Sequence, residues 1–150
     1  MPRLHNYEMA MKAIQKAKEE NIVTLHVASQ PIFGMGREPM DDPNLVYSYG
    51  AGLFWKNRDK IDSSILLLPM DSRSSASPTG DSNYSFHRTG GLSVTVPYLA
   101  GLYALACQCD PNIKFNEFWN LLDKTSVPIK LNGVVIGKAV NPLSIKELKK

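Results

Sequence analysis

Residues Val94 to Gln108 are apolar on most sides of a helix, with Leu99, Leu102, Tyr103, Leu105 and Ala106 spread around its circumference. A helix of that kind needs cover from several directions, so it is expected at the centre of a layered fold. Pro97 lacks an amide hydrogen and fits only near a helix's first turn, which puts the helix start close to Ser93. The chain around it can supply the cover. Of its 150 residues 43% are hydrophobic, enough for one globular domain with a real core, and too many for a disordered or collagen-like chain.

The flanking segments set the fold class. Asn6 to Glu20 has Ala10, Ala13, Ile14 and Ala17 at helical spacing, with Asn6 as N-cap and Asn21 as stop. Ile22 to Ala28 is β-rich and nearly all apolar, and Ile65 to Leu68 repeats that character before Pro69. Both read as strands covered on two faces, as in a parallel sheet. Phe115 to Asp123 places Phe115, Phe118, Trp119 and Leu122 on one stripe. Lys130 to Val140 reads as an antiparallel hairpin turning at Asn132-Gly133. Ser144 and Glu147 have the spacing of a capping box for a short last helix. The expected fold is therefore α/β, a mostly parallel sheet flanked by helices with a C-terminal antiparallel hairpin, in a single domain over 1–150. Two central strands are few for such a sheet, which implies self-association or a missing piece. Residues 31–62, with three prolines and no sustained period, read as a long loop or insertion, and Asp71 to Asn83 as a second loop.

Charge and motif content exclude several functions. The net charge is +3, with Lys146, Lys149 and Lys150 in the last five residues, so there is no basic footprint for nucleic acid. No apolar run approaches the roughly 20 residues of a membrane span, and Met1 to Asn6 has no signal-peptide character. The expectation is a cytoplasmic chain with no membrane partner. Cys107 and Cys109 lie on different faces of one helix and read as free thiols. Asp41, Asp42 and Asp71 lack metal-ligand spacing, and Gly34-Met35-Gly36 is too short for a nucleotide fingerprint. Met35, Met40 and Met70 read as packing residues. No metal and no cofactor are called for.

The chemistry concentrates in Gly90-Gly91-Leu92-Ser93-Val94-Thr95-Val96-Pro97-Tyr98-Leu99-Ala100-Gly101. Gly90 and Gly91 permit backbone shapes closed to other residues. Ser93 then stands at a helix N-terminus, where unpaired amides and the helix dipole favour negative charge. A serine nucleophile benefits from that setting, because attack on a carbonyl creates an oxyanion. A plain N-cap serine would occupy the same place.

This stretch resembles the nucleophile motif of the subtilisin-like serine peptidases, Gly-Thr-Ser-x-x-x-Pro-x-x-Ala-Gly. Gly91, Ser93, Pro97, Ala100 and Gly101 match in register, and Leu92 departs from the family's Thr. Asp110-Pro111-Asn112-Ile113-Lys114-Phe115 resembles the start of the family's following helix. Gly137-Lys138-Ala139-Val140-Asn141 is similar to its closing Gly-x-Gly-x-(Val/Ile/Leu)-Asn segment. Upstream, Ala28-Ser29-Gln30 occupies the place of the family's Ala-Gly-Asn, and Ala76 to Gly80 that of a Ser-rich turn.

The resemblance implies a partial subtilisin-like fold, the C-terminal part of a catalytic domain, in which Ser93 is the nucleophile and Gln30 stands where the family's Asn donates to the oxyanion. Gln30 is one methylene longer than Asn, and losing one such donor in subtilisin itself costs roughly 10²–10³ in rate. The family's Asp-(Ser/Thr)-Gly and His-Gly-Thr motifs are absent. Of the three histidines, His26 falls in the expected strand and reads as a core or sheet-facing residue. His5 has no supporting context, and His87 is not where the family draws its base. The implied activity is serine endopeptidase action on a peptide or protein substrate once an Asp/His-bearing half is supplied, with little or none from the chain alone. Its implied partners are a second copy of the chain or a chain bearing the missing half. The alternative reading is a catalytically inactive binding or structural module that keeps the packing alone.

Overall fold

Leu66-Leu67-Leu68 is buried on both faces, and the rest of the fold is arranged around it. In the computed structural model, which describes residues 3–27, 31–36, 63–131 and 133–148, this run is strand β2 (Leu66–Pro69). It lies between β1 (Ile32–Met35) and β6 (Val134–Ala139), parallel to both. Strand β5 (Val127–Leu131) pairs antiparallel with β6, giving the order β1-β2-β6-β5. A second, two-stranded antiparallel sheet joins β3 (Arg73–Ala76) to β4 (Tyr84–His87). The helices are α1 (Arg3–Glu19), α2 (Leu92–Cys109) and α3 (Phe115–Thr125), followed by a 3-10 helix over Pro142–Leu148. The class is the expected one, mixed α/β with a mostly parallel sheet.

Alternation along β2 divides the core. Leu66 and Leu68 pack with Leu99, Leu102 and Ala106 of α2 and with Phe118 and Leu122 of α3, while Ile145 of the 3-10 helix closes that layer. Leu67 points the other way, into a smaller cluster with Met35, Ile129 and Ala139. Strands with both faces covered have no polar side to show, which is why this one reads as an unbroken apolar run. Helix α3 keeps the sequence-derived stripe, and Phe115, Phe118 and Tyr103 form an aromatic cluster with centroids 5.1–5.8 Å apart. Burial and the neighbouring Cys107 hold the Tyr103 hydroxyl above its ordinary pKa, so it keeps the proton that it donates to the Ile113 carbonyl. At the hairpin, Gly133 has φ 81°, the geometry its turn requires.

Five expectations are corrected. Ile22–Val27 forms no strand: Ile22, Val23 and Val27 are exposed, and among the described residues no neighbouring strand supplies a ladder to the segment. Apolar, β-branched composition does not make a strand without a partner. The stretch read as loop over 31–62 holds β1 at 32–35, a strand that carries Gly34 because the Met70 side chain fills the space of a Cβ there. Residues 37–62, Met40, Asp41 and Asp42 among them, lie outside the described residues. The Ser-rich stretch after Asp71 is the ribbon β3–β4, whose short polar strands carry no hydrophobic period.

The last helix is capped by Asn141, which accepts from the Leu143 amide, and Ser144 bonds back to the Asn141 carbonyl. The capping-box pairing occurs instead at α3, where the Lys114 amide donates to Glu117. Finally, α2 is covered on one side only. Thr95, Leu99, Leu102 and Ala106 are buried, whereas Pro97, Ala100, Gly101, Ala104 and Leu105 are exposed. By length and composition alone this helix is apolar enough to cross a membrane. Helix α1 is also largely bare, with Ile14 and Ala17 half-buried, and it stops where Asn21 adopts φ 59°.

Candidate functional site

The parallel strands β1 and β2 end at Met35 and Pro69, and the chain leaves β2 through Met70 and Asp71. At that carboxyl edge the loop before α2 is fixed by two contacts. The buried Asp71 carboxylate accepts the Gly90 amide at 2.8 Å. Gly90 also lies so close to the main chain that a Cβ on it would stand 1.9 Å from the Met70 carbonyl oxygen. Gly91 follows as the N-cap, in an extended conformation, and the Val94 amide returns to the Gly91 carbonyl at 2.9 Å. Removing the Asp71 acceptor would leave a part-buried amide unpaired. Asp71→Ala is expected to destabilise the chain by about 1.5–3 kcal/mol, the range for a hydrogen bond to a charged group. Urea denaturation followed by circular dichroism measures it.

Ser93 is the second residue of α2, two places beyond the N-cap Gly91. The turn's own cap is Gly91, with no side-chain hydrogen bond, so Ser93 does not take the capping role. Its side chain is exposed, and among the described residues its hydroxyl has no hydrogen-bond partner. Ahead of Val94, the first-turn amides of α2 have no intrahelical acceptor, and no acidic residue stands in this first turn. Ser93 borders a cavity of about 450 Å³ whose other walls come from the β3–β4 ribbon, from Thr89 and Gly90, and from Val94, Pro97 and Tyr98 of α2.

Within that cavity the structure brings together residues that lie apart in sequence. Arg73 on β3 lies over the Tyr98 ring, 5.6 Å from its centroid. His87 on β4 hydrogen-bonds through Nε2 to the Ser75 hydroxyl at 3.0 Å. His87 thus shares a cavity with Ser93, although it is not where the resembled family draws its base. It is engaged with Ser75. His26 is half-buried in the non-strand segment after α1. Ser29 and Gln30 lie outside the described residues. Among the described residues no three His, Cys, Asp or Glu side chains gather as metal ligands would.

Asp71 is the residue that sequence reasoning missed, having been weighed only as a metal ligand. Its signal was its position, an acid directly after an apolar strand and upstream of a Gly-Gly pair. Arg73 and Ser75 had no such signal, because their ribbon was not legible.

No protein-family profile matches the chain, and no curated protein does. Among solved structures the chain is similar to the prenylagaramide maturation protease PagA, with 22% identity and a TM-score of 0.47. The match covers 93% of this chain and 55% of that one, so the chain spans little more than half the length of the structure it matches.

Proposed function

We propose that this chain is the nucleophile-bearing part of a subtilisin-like serine endopeptidase. The single observation that carries the reading is the placement of Ser93. It lies in the first turn of an apolar helix, at the carboxyl edge of a parallel sheet, exposed to a cavity. The residues around it match the family motif at Gly91, Pro97, Ala100 and Gly101.

In this reading the Ser93 hydroxyl attacks the scissile carbonyl of a peptide or protein substrate, and the Ser93 amide steadies the oxyanion. Gln30 is the proposed second donor. The base and its carboxylate orienter come from a segment carrying the Asp-(Ser/Thr)-Gly and His-Gly-Thr motifs, on the same polypeptide or on a partner chain. Without that base a serine hydroxyl is a weak nucleophile at neutral pH, so the chain alone has little peptidase activity.

A fluorophosphonate probe tests this. With an Asp/His-bearing partner present, labelling of Ser93 is expected and is lost in Ser93→Ala. Absence of label on Ser93 with every candidate partner overturns the proposal. That result favours the second reading, a binding or structural module. The second reading draws on one observation: among the described residues, no imidazole is bonded to the Ser93 hydroxyl.

A further inference from the structure

The ribbon β3–β4 pairs Arg73 with His87 and Ser75 with Ser85, so Ser75 and His87 are diagonal neighbours on one face. Their side chains meet at 3.0 Å between Oγ and Nε2, and both line the cavity that Ser93 borders. A hydroxyl within hydrogen-bond reach of an imidazole nitrogen is the arrangement that activates a serine nucleophile. The cavity wall beyond it includes Ser93, in the first turn of α2 where helical amides lack intrahelical acceptors, whereas the neighbouring Gly90 and Val94 amides are held by Asp71 and by the Gly91 carbonyl. Nucleophile, base and one amide able to face an oxyanion, that of Ser93, therefore border one space.

We propose that Ser75 and His87 form a second acyl-transfer site, able to accept small activated esters in the isolated chain. The site is independent of the peptidase reading, which rests on Ser93. In the tautomer with its proton on Nδ1, His87 accepts the Ser75 hydroxyl hydrogen at Nε2. The Ser75 oxygen bonds to the ester carbonyl carbon, and its proton passes to Nε2. The bond from that carbon to the leaving oxygen then breaks, and the proton goes to the departing alkoxide or phenoxide. Water repeats the sequence on the acyl-serine, losing its proton to Nε2 and returning Ser75 with a free carboxylic acid. The cavity's volume suits an acyl group of a few carbons with an aromatic leaving group, which Pro97, Tyr98 and Val94 offer apolar surface to receive.

The test uses the full chain and 4-nitrophenyl acetate. An early burst of 4-nitrophenolate is expected, with the acetyl group located on Ser75 by peptide mass spectrometry. Ser75→Ala removes the acetyl-serine. His87→Gln slows its formation by about 10²-fold or more, the lower end of what a general base contributes. Ser82→Ala, on the exposed turn of the ribbon, changes nothing. A further variant keeps the test open if the hydroxyl proves slow: Ser75→Cys is alkylated by iodoacetamide several-fold faster than Ser75→Cys/His87→Gln. Acetylation confined to Ser93, or an unaltered release rate in Ser75→Ala, overturns the proposal. The first outcome would leave the Ser93 reading standing, and a fluorophosphonate failure at Ser93 would leave this one standing.

Discussion

Gly90→Ala is expected to abolish the folded state, whereas the same substitution at Gly101 raises stability. At Gly90 the added methyl carbon would stand 1.9 Å from the Met70 carbonyl oxygen and 2.9 Å from its carbonyl carbon. Both are backbone atoms at the end of the buried strand β2, so relief requires moving the sheet edge or the start of α2. Either movement also breaks the bond from the Gly90 amide to Asp71. A cost above roughly 4 kcal/mol follows, in the exceptional range for one substitution. That approaches the whole stability of a domain at the lower end of the ordinary range of about 5–15 kcal/mol. At Gly101, in the exposed middle of α2, a Cβ meets nothing within 4 Å. Alanine there gains about 0.5–1 kcal/mol through the lower entropy of the unfolded chain and better helix propensity. Paired urea titrations of the two variants give the sign directly, and a folded Gly90→Ala chain of normal stability would refute the close docking of this loop.

Phe118→Ala carries the second large effect, an expected loss of about 3–5 kcal/mol. Phe118 has no exposed surface, and its ring lies 5.1 Å from that of Tyr103 and 5.8 Å from that of Phe115. It packs in the cluster that joins α3 to α2 and to Leu66 and Leu68 of β2, so truncation leaves a void bounded by rigid elements on several sides. Trp119, its half-buried neighbour on α3, is expected to cost less when truncated. Thermal denaturation and a weakened near-ultraviolet dichroism of the aromatic cluster would report the change. A loss below 1 kcal/mol would contradict this packing.

What could be read from the residues depended on how local each signal is. The long helix, the amphipathic α3 and the Gly133 hairpin are written in spacings of two to four residues, and each occurs where the spacing places it. β2 was legible because its two-sided burial leaves an unbroken apolar run. β1 was not, since its four residues include Gly34 and owe their strand state to pairing with β2. The reverse error at Ile22–Val27 has the same root: strand propensity is completed by a partner, and this segment has none among the described residues. The ribbon β3–β4 reads Arg-Ser-Ser-Ala on one strand and Tyr-Ser-Phe-His on the other, with Tyr84 and Phe86 exposed, so it shows no buried alternation to a hydrophobicity reading. For the site, the motif located Ser93 at the start of α2. It gave no sign of the Ser75–His87 bond, because such a pairing depends on the register between two strands.

The place of β2 between β1 and β6 also sets the order in which a growing chain can mature. On the ribosome, Leu66 to Leu68 emerge with β1 already made, but Leu66 pairs with Lys138 and Leu67 with Ala139, which are synthesised only after α2 and α3. Until then one edge of the most apolar strand keeps its water and its access to other chains, and joining so distant a partner carries the loop-closure cost that slows non-local pairing. A nascent chain stalled before residue 134 therefore presents a leucine-rich, half-paired strand, the kind of surface on which chaperones act and aggregates begin.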